Sequence, residues 1–152
     1  MSDAPCLPSD PALAPQPDLV AELTRTLDHV GAPWVKALGL RVLEASAERT
    51  VLRLPVTAAL VHGGGVVCGQ ALMAAADTAM VLGLSAHLGA FRPMTTVQLQ
   101  TSFLRPVPGD AAGLELVCTV LRRGKSLAFG EVEIFTPDGK LAVHATTTYA
   151  LL

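Results

Sequence analysis

The run from Gln70 to His87 holds a single acid, Asp77, among Ala, Leu, Met, Val and other uncharged residues, and Cys68-Gly69 opens it. A charged side chain taken into the interior without a partner costs several kcal/mol of lost hydration. Asp77 therefore has either a satisfied structural role, such as an arginine partner in a sheet, or chemistry to perform, and we favour chemistry. A lone carboxylate can take a proton in general-base catalysis or attack an electrophilic carbon itself. At the start of the run, Gly69 sits where a helix would leave N–H groups unpaired and the positive end of its dipole exposed. Such an end suits an oxygen that gains negative charge during a reaction.

Gly69 and Asp77 are separated by roughly 12 Å along a helix that rises 1.5 Å per residue. One carbonyl cannot touch both. If both serve one reacting group, the carboxylate comes from a second subunit whose helix runs antiparallel, which predicts a two-fold dimer with two shared sites.

Other candidate chemistries are weaker. Cys6, Cys68 and Cys118 have no CxxC spacing and leave one thiol over, which suggests neither a disulfide framework nor a zinc cage and favours a reducing cytosol. No histidine has ligand spacing, so no metal is assigned. Cys68 lacks an arguable His and Asn or Asp arrangement, which disfavours it as a nucleophile. Gly63 to Gly65 resemble a phosphate cradle only superficially, because no Lys-Ser or Lys-Thr follows and no GxGxxG is present. Arg122, Arg123 and Lys125 form a basic turn that reads equally as a solvated hairpin tip.

The elements that must position these residues follow from periodicity. Leu19, Val20, Leu23, Leu27 and Val30 have helical spacing, with Asp18 as a cap and Gly31-Ala32-Pro33 as a stop. Stretches 40–45 and 50–55 read as a hairpin, with a short turn or helix at Trp34 before them. The Asp77 run predicts a long helix stopped by Gly89. Stretches 95–104, 112–121, 127–135 and 142–151 read as strands, separated by turns rich in Pro, Gly and Asp. Glu131 and Glu133 alternate with Val132 and Ile134, and Gln98 and Gln100 with Val97 and Leu99, the pattern of half-solvated antiparallel strands. A helix that is apolar almost all round must be covered on most sides. The predicted class is α+β, a curled antiparallel sheet of five to six strands around one central helix.

The chain has 152 residues, about half of them hydrophobic, and a formal charge of −2. This size fits one domain, and the charge offers no basic field for nucleic acid. No signal-peptide pattern and no uninterrupted apolar stretch of membrane-spanning length is evident. The expectation is a cytoplasmic protein without membrane or nucleic-acid partners. Five prolines among residues 1–17 predict a disordered tail there, with a single domain over 18–152.

From about Gly39 onward the chain resembles the hotdog-fold acyl-CoA thioesterases, in the branch of the phenylacetate-pathway enzymes (PaaI-like). The resemblance rests on four pieces taken together: Gly64 to Met80, Thr95 to Pro106, Arg123-Gly124-Lys125-Ser126, and Asp138 to Thr146. It implies that Asp77 acts as base or nucleophile on a thioester whose oxygen the Gly69 N–H binds. It also implies that Thr96, with Thr95 beside it, holds the water or the carboxylate. His62 falls where the family often carries Asn or Gln, which implies a polar helper at the end of the slot, though it reads equally as a loop residue sealing the helix end. The turn Arg123 to Ser126 would lie near the coenzyme A nucleotide and phosphates, with Cys68 and Gln70 at the helix entrance. Many members have His before the helix glycine and a second glycine after it, where this chain has Cys68 and Gln70.

The resemblance further implies an acyl-CoA substrate, no separate cofactor, and self-association as a dimer or a dimer of dimers. Two other readings stay open. A hotdog hydratase or dehydratase also places a loop His before a helix acid, but its acid follows the helix-start glycine by five residues rather than eight. A non-catalytic acyl-CoA binding protein would keep the pocket without turnover.

Overall fold

The computed structural model describes residues 16–152; the tail expected over 1–17 lies almost wholly outside them. Helix α1 spans Pro17–Val30, so Pro17 opens a helix instead of ending a tail, and Gln16 rather than Asp18 is the N-cap. The reason is local: proline's fixed φ suits the first helical position, where its missing N–H would have no partner. Leu23 and Leu27 point into the core, and the short helix α2, Pro33–Lys36, leads to the sheet.

Six antiparallel strands form one sheet: β1 (Arg41–Ala45), β2 (Arg49–Leu54), β3 (Met94–Phe103), β4 (Leu114–Arg123), β5 (Leu127–Phe135) and β6 (Leu141–Leu151), in the order β1-β2-β4-β5-β6-β3. Helix α3, Gly69–Leu88, follows β2 and its loop and is wrapped by the sheet. It ends at Gly89, whose φ of 77° is the left-handed conformation that closes helices without a Cβ penalty. This is the hotdog architecture of the α+β class, as expected. By length and composition α3 could cross a membrane, but Ala75, Ala76, Ala79, Met80, Leu82 and Leu84 are instead buried against the sheet.

The helix lies close because small residues face it. An ideal Cβ on Gly83 would come 2.7 Å from Cys118 Sγ, and one on Gly130 would come 2.5 Å from Met80 Sδ. Alternation places Thr96, Leu99, Thr101 and Phe103 of β3 on the helix side, in register with Tyr149, Thr147, Ala145 and Val143 of β6. A bulge between Thr96 and Gln98 takes Val97 out of this alternation, and its side chain is 59% exposed.

Among the described residues one side of α3 remains uncovered. Gln70 and Met73 are exposed and Ala74, Asp77 and Val81 half-buried, a stripe at i, i+3, i+4, i+7 spacing. Beside it β3 is the terminal strand of the sheet and is largely exposed along its length.

Candidate active site

Asp77 sits mid-way along α3 at the border of the uncovered stripe, half-buried. Its Oδ1 accepts a hydrogen bond from Thr96 Oγ1 at 2.9 Å and another from Tyr149 Oη at 2.6 Å. Tyr149 Oη also lies 3.0 Å from the Asp77 carbonyl oxygen. Strand register explains the convergence: Thr96 and Tyr149 are direct partners on the helix side of β3 and β6. Burial is the main cause that pushes the Tyr149 phenol well above its ordinary ionisation range, with the bond to Asp77 next. It therefore stays a donor at any working pH.

Sequence reasoning picked out Asp77 and Thr96 but missed Tyr149. A lone tyrosine near the C-terminus reads as an ordinary strand residue. The pairing of β6 with β3 that brings it to Asp77 is a long-range contact with no local signature.

The start of α3 forms a second locus. Cys68 is the N-cap but makes no side-chain cap bond, and its carbonyl accepts from Ala71 and Leu72 N–H. As the first helical residue, Gly69 has an N–H with no intrahelical acceptor. The Phe103 ring stacks on Gly69, 3.1 Å from where a Cβ would stand. A groove of about 350 Å³ runs along Gly69, Leu72, Phe103, Leu104 and Pro106. Gln70 is exposed in the first turn.

His62 lies in the exposed loop before the helix, where its Nδ1 accepts the Gly64 N–H at 2.9 Å and closes the turn. Thr95 pairs with Ala150 one rung from Thr96 and so faces the opposite side of the sheet from Asp77. Arg123, Gly124, Lys125 and Ser126 form the tip between β4 and β5. The rung Arg123, Ala128, Tyr149, Thr96 puts that basic tip at the Asp77 end of the sheet.

The other thiol in the described chain, Cys118, is fully buried, and burial pushes it up to about 12, which keeps it protonated and inert. Among the described residues no group of three or more His, Cys, Asp or Glu is arranged to hold a metal ion.

Within one chain the structure thus brings Asp77, Thr96 and Tyr149 together and leaves Gly69 and His62 at the other end of the helix segment. A carboxylate with one oxygen anchored by hydroxyls is arranged to accept a proton or attack a carbon. An open helix N-terminus is arranged to bind an oxyanion.

Residues 64–143 match the family model of the thioesterase superfamily. A Saccharolobus solfataricus protein provisionally named esterase SSO2140 is 29% identical over 134 residues, covering 88% of this chain and 90% of its own. The structure of a point mutant of the phenylacetic acid degradation protein PaaI from Thermus thermophilus superposes with a TM-score of 0.71 at 26% identity, covering 80% of this chain and 100% of its own. The Escherichia coli PaaI protein, at 20% identity, shares the fold with a TM-score of 0.76 over 88% of this chain and 96% of its own. With its family match spanning more than half the sequence and these PaaI relatives sharing its fold, the chain belongs to the thioesterase superfamily as a PaaI-like hotdog thioesterase.

Proposed function

We propose that the protein hydrolyses acyl-CoA thioesters at sites shared between two subunits. The observation that carries this reading is the Asp77 carboxylate, held by Thr96 and Tyr149 on a helix whose other end offers the Gly69 N–H. The thioester oxygen binds that N–H, which stabilises the charge it gains as the carbonyl carbon becomes tetrahedral. Asp77 takes a proton from water as the water oxygen bonds to the acyl carbon. The C–S bond then breaks with its electron pair on sulfur, and the proton on Asp77 passes to the thiolate. Direct attack by the carboxylate is the variant in which Asp77 oxygen forms that bond first and water cleaves the resulting anhydride.

A second copy supplies what one chain lacks. Among the described residues the outer edge of β3 has no strand partner, and its backbone groups form a template for a strand of another chain. The uncovered stripe of α3 adjoins it, with Met73 and Phe103 exposed. Antiparallel pairing of two such edges sets the Asp77 of one helix near the Gly69 of the other. Arg123 and Lys125 stand at the Asp77 end, suited to the phosphates of coenzyme A, and the acyl chain occupies the apolar slot between subunits.

The test is release of free thiol from a panel of short, medium, long and aromatic acyl-CoAs. Asp77→Ala removes most of the release and leaves the oligomer intact. Full activity in purified Asp77→Ala rejects the mechanism, and tight coenzyme A binding with no thiol release from any thioester favours a binding protein instead.

A further inference from the structure

Tyr149 is only 1% exposed, and a buried phenol needs a hydrogen-bond acceptor. It has a single proton to donate and two oxygens of Asp77 within reach, the carboxylate at 2.6 Å and the main-chain carbonyl at 3.0 Å. The carbonyl already belongs to the helix, where the amide four residues on is its partner, and the carboxylate is charged and nearer. Charge-assisted O–H···O⁻ bonds have this shorter length. The proton therefore goes to Oδ1, the same oxygen that accepts from Thr96. Among the described residues no hydrogen bond reaches Oδ2.

We propose that Tyr149 is a positioning residue that, together with Thr96, pins Oδ1 of Asp77 and so reserves Oδ2 for the reaction. The proposal rests on the thioester-hydrolysis reading and adds which oxygen reacts and what holds it. Two hydroxyls from adjacent strands fix both the position and the rotation of the carboxylate. Oδ2 is then the atom that takes the proton from water, or that bonds to the acyl carbon if the attack is direct. The phenol does not touch substrate. Its effect reaches the chemistry only through Asp77, and a protonated Cys118 is the other titratable group bearing on it.

Tyr149→Phe keeps the ring and its packing and removes only the donor. The expected result is a fall of about tenfold in kcat, with KM changed less than about twofold, since the substrate is not contacted. A purely structural role would lower the amount of active protein and leave kcat and KM of the folded fraction alone.

A substrate-free measurement separates this proposal from the reading beneath it. Tyr149 is the chain's one tyrosine, so ring-carbon labelling of tyrosine gives a single resonance in the full-length protein. At neutral pH Asp77→Asn shifts that resonance, because the charged acceptor of the phenol's hydrogen bond is replaced by a neutral amide. If the wild type hydrolyses no thioester, the proposed function fails, and the labelled resonance still judges the pairing. A Tyr149→Phe protein with wild-type kcat, or a Tyr149 resonance indifferent to Asp77→Asn, overturns the proposal.

Discussion

At the scale of single residues, the chemistry depends on what surrounds one carboxylate. Asp77 was legible because a lone acid in an apolar run is costly unless something satisfies it. Thr96 was legible only through the family's motif, since β-branching alone justifies a threonine in a strand. Of the two partners expected for Thr96, water or the carboxylate, the structure shows a direct bond to Asp77 Oδ1. Thr96→Val removes that donor while keeping a β-branched shape, and steady-state kinetics should show kcat lowered by about tenfold with the fold retained. Unchanged kcat would mean that one hydroxyl at Oδ1 suffices. His62 read equally as a polar helper and as a loop residue sealing the helix end, and the structure shows its Nδ1 accepting the Gly64 N–H.

At the scale of elements, hairpins and the long helix were readable because turn residues and periodicity mark them locally. The strand order was not. That β3 lies outermost beside β6 follows from a crossover over α3, and no local pattern records it. The bulge at Val97 was equally hidden, since the alternation of Val97 and Leu99 with the glutamines suggests one continuous register.

The close seat of α3 on the sheet yields a stability prediction. Alanine at Gly83 would improve helix propensity by about 1 kcal/mol, but its Cβ would stand 2.7 Å from Cys118 Sγ on a short, buried side chain. Overpacking of this kind costs about 1–3 kcal/mol, so Gly83→Ala should be net destabilised in urea denaturation; a gain in stability would show that the helix moves aside freely. The turn after β5 gives a pH prediction. Lys140 first, and then Thr136, bond to the Asp138 carboxylate and hold it at about 2. Because the folded value is depressed, the support it lends the turn is complete above pH 3.8, its ordinary value, and is lost as pH falls toward 2. Carboxyl NMR should place its midpoint there, and a midpoint near the ordinary value would show the turn open in solution.

At the scale of the whole molecule, the proposed function makes one protomer an incomplete site. The long helix reads from sequence as apolar on nearly every side, yet the single chain leaves one stripe of it bare beside an unpaired strand edge. A charge placed on that surface, Met73→Glu, should shift the protein toward monomer in analytical ultracentrifugation and remove thioester hydrolysis together with the dimer. Activity in a proven monomer would place the whole site in one chain.

The most direct measurement mixes two disabled proteins. Asp77→Ala lacks the carboxylate, and Gly69→Pro lacks the helix-end N–H. Proline suits the backbone of the first helical position, Cys68 before it already has the extended φ of −69° and ψ of 143° that a following proline requires, and the exposed Phe103 ring, 3.1 Å from the new Cβ, must shift by a few tenths of an ångström. Each alone should be nearly inactive. Random reassociation of an equal mixture makes about half the dimers mixed, each with one intact site, so about a quarter of wild-type thiol release should return. If the mixture stays as inactive as its parts after subunit exchange has been shown, Gly69 and Asp77 do not meet across an interface and the shared site is contradicted.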